Sequence, residues 1–228
     1  MKVPIFIFTI AVLTITTAAG QDTVTRSLGH FTKIEVKNGI LVQLIKGDRE
    51  AVLIKVQEIP INDVITEISD GLLTVRYQAP LFSKSKVMVN IYYRELKSVS
   101  ASGKSEVTST SLMKQDSLNV YLEGGARAYL DLDVRYLKSH VTEGALISAD
   151  GYAVKQDAYA TLGATLSLFD LESDVVNVKV TANGKAKLNV DKILNADAST
   201  GGYISYKGKP AVKDFSSSIG GKVEPYSE

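Results

Sequence analysis

The chain has 228 residues, with 26 Lys and Arg against 25 Asp and Glu, two His, no Cys and no Trp. This near-neutral balance leaves no excess charge to attract nucleic acid or an anionic membrane surface. The missing cysteines and the two isolated histidines exclude metal centres built on Cys or His clusters, and no cofactor is expected.

The first element is a targeting segment. Lys2 is a short basic region, Val3 to Ile15 is an apolar run, and Ala18-Ala19-Gly20 offers small residues before Gln21. This predicts a secretory signal peptide over 1–20, because the run is well short of the roughly 20 apolar residues that a spanning helix needs. Its removal leaves 208 residues with 25 basic and 25 acidic side chains. That length fits one long β domain, and no stable membrane span is expected in it. Secreted eukaryotic domains often carry disulfides, whereas a large exported bacterial β protein with a continuous core can do without them.

Residues 21–30 form a lead, and period-2 alternation then runs from Phe31 to Tyr93. Ile34 and Val36, then Val42 and Leu44, then Val52, Ile54 and Val56 mark strands. Asn38-Gly39, Gly47-Asp48 and Asp70-Gly71 mark tight turns between them. Residues 60–64 have room for one short helical turn. Residues 40–45 and 87–93 are apolar on both faces, which predicts burial on both sides or stacking on a partner. The best candidate for an internal junction is 79–86.

Residues 94–211 repeat. The segments "LEGGARAYL", "TEGALISAD", "TLGATLSLF", "TANGKAKLN" and "STGGYISYK" each place a small-residue corner between two apolar alternations. Taking Lys104, Gly125, Gly144, Gly163, Asn183 and Gly201 as corners gives spacings of 18–21 residues. This choice includes a one-residue adjustment at the first and fifth corners. Glycine turns without steric penalty, and Asn tolerates positive φ better than most residues. The period predicts an all-β parallel β-helix with about six short turns, roughly 29 Å long at about 4.8 Å per rung, with residues 31–93 continuing or capping it. An antiparallel sandwich would also turn every 8–12 residues, but the whole two-strand unit repeats, which favours the helix. Residues 212–228 read as a partly disordered tail.

No P-loop, dinucleotide fingerprint or nucleophile elbow is present. Asp131, Asp133, Asp150 and Asp170 follow the apolar strands, where polar turn residues are ordinary; stacked carboxylates also serve calcium binding or acid/base catalysis on polysaccharides. His30 falls before the first predicted strand. His140 takes an outward position, and Tyr121 and Tyr159 share one outward column, suited either to a cross-strand ladder or to stacking on a sugar or protein.

The series "FTKIEVKNGILVQLIKGD", "ISDGLLTVRY" and "ASTGGYISYKGKP", with repeated small corners between, resembles the auto-transporter adhesin head, or GIN, domain over residues 31–211. The resemblance implies a β-helical fold in an exported cell-envelope protein of Bacteroidetes-type bacteria, and it brings no catalytic residues. The family usually shows Ser-Gly-Ala-Ser at its corners, where this chain has Glu-Gly, Leu-Gly and Asn-Gly. The expectation is a non-enzymatic adhesin-like module that contacts an unknown surface ligand, glycan or protein, through Tyr121, His140 and Tyr159. A polysaccharide-active enzyme using the carboxylates, or a self-assembling structural protein forming homo-oligomers, are the alternatives.

Overall fold

The computed structural model describes residues 22–78 and 86–227. The signal segment, and the junction at 79–86 except for Lys86, lie outside the described residues. One local device, repeated, builds the molecule. Two consecutive residues with left-handed backbone, φ between 48° and 75°, form eight corners, Asn38-Gly39, Gly103-Lys104, Gly124-Gly125, Glu143-Gly144, Leu162-Gly163, Ala182-Asn183, Thr200-Gly201 and Ile219-Gly220, and a ninth such pair, Asp70-Gly71, turns a hairpin. From the second pair onward, the N–H after the pair donates to the C=O before it, as in Ala126 to Glu123 at 3.2 Å and Ala164 to Thr161 at 3.1 Å. Positive φ at both central residues makes each a tight two-residue turn. The six corners read from sequence are each the second residue of such a pair, including the adjusted Lys104 and Asn183.

The corners bond to one another as well as within themselves. Gly125 N–H donates to Glu143 C=O at 2.9 Å, Gly144 to Leu162 at 3.0 Å, and Gly163 to Ala182 at 3.0 Å. The backbone groups that turn the chain are thereby satisfied by the next rung, as a water-excluding stack requires.

In chain order the elements are β1 (Asp22–Ser27), β2 (Lys33–Val36), β3 (Leu41–Lys46), β4 (Ala51–Gln57), a 3-10 turn at Ile61–Asp63, β5 (Val64–Ser69), β6 (Leu72–Tyr77) and β7 (Lys86–Tyr93). β2 lies parallel between β6 and β8 (Ser98–Ala101), and β3 lies parallel between β7 and β9 (Glu106–Ser109). Asn38-Gly39 is therefore the first corner of the coil rather than a hairpin turn. Its flanking strands pair with neighbouring rungs and not with each other. β1 and the strands β4 to β7 form an antiparallel cap: β4 pairs with β1 and β7, and β5 with β6 across Asp70-Gly71. Arg26 of β1 closes the cap, donating to Val64 C=O at 2.7 Å and to Thr66 Oγ1 at 2.9 Å.

Regular winding follows through β10 (Met113–Leu122), β11 (Arg127–Val141), β12 (Leu146–Ala160), β13 (Thr165–Val180), β14 (Lys185–Ser199), β15 (Tyr203–Lys207), β16 (Val212–Ser218) and β17 (Lys222–Pro225). All pair in parallel with neighbouring rungs, β16 and β17 with the rung before. The result is a β-solenoid of about seven turns. Variation in period is absorbed by register shifts on one side of the coil, between Ser148 and Gly151 and between Leu168 and Glu172. The corner column stays aligned because the extra residues bulge there.

The apolar alternation on either side of the corners points inward and is buried, from Val99 and Val120 through Val178 and Ala196 before the corners, and from Ala128 and Ile147 through Leu188 and Ile204 after them. Each fully buried Val, Leu or Ile contributes about 1.5–3 kcal/mol relative to exposure. Immediately after the corners stand Ser105, Ala126, Ala145 and Ala164, all fully buried, and then Gly184, Gly202 and Gly221. A Cβ at Gly202 would overlap the carbonyl of Val180 on the preceding rung, so the narrowest point of the coil accepts only the smallest side chains.

Three expectations differ from the structure. The tail expected over 212–228 is not loose in its described part: β16 and β17 add another rung, because Ile193 to Ser199 and Tyr203 to Tyr206 offer parallel edges for them. The lead 21–30 contains β1, an edge strand of the cap that precedes His30. Of the two alternatives for strands 40–45 and 87–93, burial on both sides is the one that the structure overturns. Leu41 and Met88 are register partners on the outer face, 38% and 37% exposed.

Candidate functional site

The face formed by β8, β16 and the C-terminal parts of β10 to β14 carries two parallel outward columns. The first runs Lys138, Asp157, Asn177, Asn195, Asp214, and the second runs Tyr121, His140, Tyr159, Lys179, Asp197, Ser216. Residues in a column lie one above the next because parallel strands pair in register and side chains alternate faces. The structure thus brings the three predicted residues Tyr121, His140 and Tyr159 onto consecutive rungs. The rings of His140 and Tyr159 are 4.7 Å apart at their centroids, tilted by 38°. Tyr121 is 41% exposed.

Between the columns runs a groove of about 400 Å³ along the solenoid axis. Its floor is the backbone at Ser139, Ala158, Val178 and Ala196, whose side chains point into the core. A second groove of about 250 Å³ lies on the other side of the aromatic column, lined by Glu35, Ser100, Tyr121, Glu123, His140 and Thr142. Tyr121, His140 and Tyr159 therefore form a ridge, with His140 facing both hollows.

The opposite wall of the larger groove is a continuous hydrogen-bonded ladder. Tyr136 Oη donates to Asp157 Oδ2. Asn177 Nδ2 donates to Asp157 Oδ1 at 2.7 Å, and Asn195 Nδ2 to Asn177 Oδ1 at 2.7 Å. Burial works against ionisation of Asp157, but the hydrogen bonds from Tyr136 and Asn177, with Lys155 and Lys138 nearby, outweigh it and hold the carboxyl below its ordinary value. The same hydrogen bond, with burial, pushes the Tyr136 phenol up to about 12. Charges around the groove pair locally: Lys179 Nζ is 3.1 Å from Asp197 and Lys155 Nζ is 3.8 Å from Asp157.

Sequence reading missed this ladder. The signal was present, since Lys138, Asp157, Asn177, Asn195 and Asp214 each stand six residues before the second residue of their corner. Tyr121, His140 and Tyr159 stand four before theirs.

The four aspartates weighed for catalysis or calcium lie elsewhere. Asp131 and Asp150 are register partners on β11 and β12, Asp133 is held by Lys114 at 2.6 Å, and Asp170 stands 3.9 Å from Lys207. None of them lines either groove. Among the described residues no group of three or more His, Asp or Glu is placed to hold a metal ion. His30 Nδ1 lies 2.8 Å from Glu50 Oε1 at the cap.

A family model described as "Putative auto-transporter adhesin, head GIN domain" matches residues 30–210. The fold is similar to crystal structures of a putative adhesin from Bacteroides fragilis (16% identity, TM-score 0.83, covering 92% of this chain and 98% of that one) and of a putative adhesin from Parabacteroides merdae (23% identity, TM-score 0.71, covering 92% and 97%). It is also similar to that of a protein described as a putative lipid-binding protein from Parabacteroides distasonis (14% identity, TM-score 0.71, covering 92% and 98%). No curated protein matches the chain. At these identities the solved structures establish the fold alone. Among the described residues no helix is long and apolar enough to cross a membrane.

Proposed function

Since this chain belongs to the auto-transporter adhesin head (GIN) domain family, we propose that it is an exported, non-enzymatic cell-envelope protein. On this reading it meets its partner through the face carrying Tyr121, His140 and Tyr159. The signal-like segment 1–20 supports export, and the family supports an adhesin-like role. The observation that carries the contact face is the alignment of three aromatic side chains into one ridge between two grooves. Aromatic bodies with polar tips are favoured contact residues where one side must be dry and the other wet. The ridge lies on packed rungs rather than on loops, so it is preorganised and loses little entropy on binding.

The test is binding of the purified protein to arrays of glycans and matrix proteins and to whole cells. The Tyr121→Ser, His140→Ser, Tyr159→Ser triple variant should lose at least tenfold in affinity while its thermal unfolding stays near that of the parent. Binding untouched by the triple change, or silence on every surface, would remove this assignment of the face.

A further inference from the structure

We propose that the larger groove holds a neutral, extended saccharide chain lying along the solenoid axis, about one sugar ring per rung. This rests on the reading of the same face as the partner surface and names its occupant. The first argument is what the floor lacks. The backbone N–H and C=O groups of β11 to β14 are used in pairing with the rungs above and below. A peptide adding itself as a strand needs a free sheet edge, and this groove crosses the strands instead. Recognition here falls to side chains alone.

Those side chains recur at the rung spacing of about 4.8 Å. An extended peptide presents same-side groups every two residues, about 6.7 Å, and so drifts out of step within two rungs. A pyranose ring in an extended chain is close to one rung long. From Lys138 to Asp214 the groove spans five rungs, about 19 Å between the outermost two.

The walls match the two kinds of surface that a sugar ring presents. Asn177 and Asn195 each use one amide N–H in the ladder, which leaves the second for a hydroxyl acceptor. Across the groove the His140 and Tyr159 rings offer apolar surface to ring C–H groups. The charges select against a polyanion. Lys138 and Lys179 face Asp157, Asp197 and Asp214, which leaves no positive excess to draw sulfated, phosphorylated or uronic chains.

Calorimetric titration with neutral β-1,4-linked oligomers of glucose, mannose and N-acetylglucosamine, from dimer to octamer, tests this on the whole chain. Affinity should rise with each ring and level off at about four or five rings, with little dependence on salt. Asn177→Ala and Tyr159→Ala should each weaken binding about tenfold while keeping the β circular dichroism of the parent, Tyr159→Ala with an unchanged melting temperature, whereas Lys114→Ala on another side of the coil should leave binding unchanged. No binding by any series, no length dependence, or binding only of charged chains with steep salt dependence would overturn the proposal. If the triple ridge variant still abolishes adhesion to a protein or cell surface while the sugars stay silent, the face stands and the saccharide falls. If neither responds, both fall.

Discussion

At Leu162 the chain tolerates a conformation that its side chain disfavours. Left-handed backbone costs an L-residue roughly 1–2 kcal/mol, and Leu162 adopts it at φ 51° with its side chain 56% exposed, so little packing offsets the strain. The equivalent place in two other rungs is Gly103 and Gly124. Leu162→Gly should therefore raise stability by about 0.5–1 kcal/mol, after allowance for the extra freedom of glycine in the unfolded chain. Urea unfolding reads this directly, and a lower midpoint would show that Leu162 contributes a contact rather than strain. Gly151 is the opposite case. Its φ of 106° and the carbonyl of Leu132 beside it leave no space for any Cβ.

At the scale of the element, the Tyr136–Asp157–Asn177–Asn195 ladder ties together the C-terminal parts of β11 to β14 from outside, while the core ties them from inside. Its pH response has two edges. Tyr136 has a raised pKa, so its contribution is complete below the ordinary tyrosine value of 10.0 and is lost as pH climbs from there toward about 12. Asp157 has a lowered pKa, so its contribution holds above the ordinary 3.8 and is lost as pH falls through the depressed value. The phenolate difference spectrum between the parent and Tyr136→Phe should show one tyrosine titrating near 12. The variant should also lose less stability than the parent between pH 10 and 12. A difference spectrum centred near 10 would mean that the ladder does not form in solution.

At the scale of the whole molecule, the solenoid is quasi-one-dimensional: each rung meets its two neighbours, and the antiparallel cap seals the N-terminal end. Removing one complete period should leave a foldable, shorter coil. Deletion of 145–163 joins Gly144 directly to Ala164, which occupies in its own rung the place of Ala145. This variant should keep its β circular dichroism and cooperative unfolding, and elute as a smaller particle. On the proposed reading of the grooved face it should also lose binding there, because Asp157 and Tyr159 go with the rung. Deletion of only the first half, 145–153, should fail to fold, since it leaves half a turn and brings the next corner, Leu162-Gly163, to the wrong side of the coil. Equal tolerance of both deletions would argue against rung-by-rung winding.

Much of this was legible in the chain because a solenoid writes its geometry as a period. Corner residues, the alternation around them and the inward columns are local properties repeated in register, so Gly125, Gly144 and Gly163 predict one another. Tyr121, His140 and Tyr159 were legible for the same reason, as fixed offsets from their corners. The N-terminal region obeys a different logic. Asn38-Gly39 has the same local chemistry in a hairpin and in a solenoid corner, and only its pairing with rungs more than sixty residues away decides between them. Whether 212–228 hangs free or adds a rung depends on the open edge of β14, a partner that those residues do not encode. The Asp157–Asn177–Asn195 ladder needs the close approach of three rungs before any hydrogen bond exists. The sequence by itself determined the period, the corners and the inward faces, since these follow from backbone freedom and alternation within a few residues. The tertiary structure alone decided the cap, the last rung and the groove, since these depend on which edges and columns the winding brings side by side.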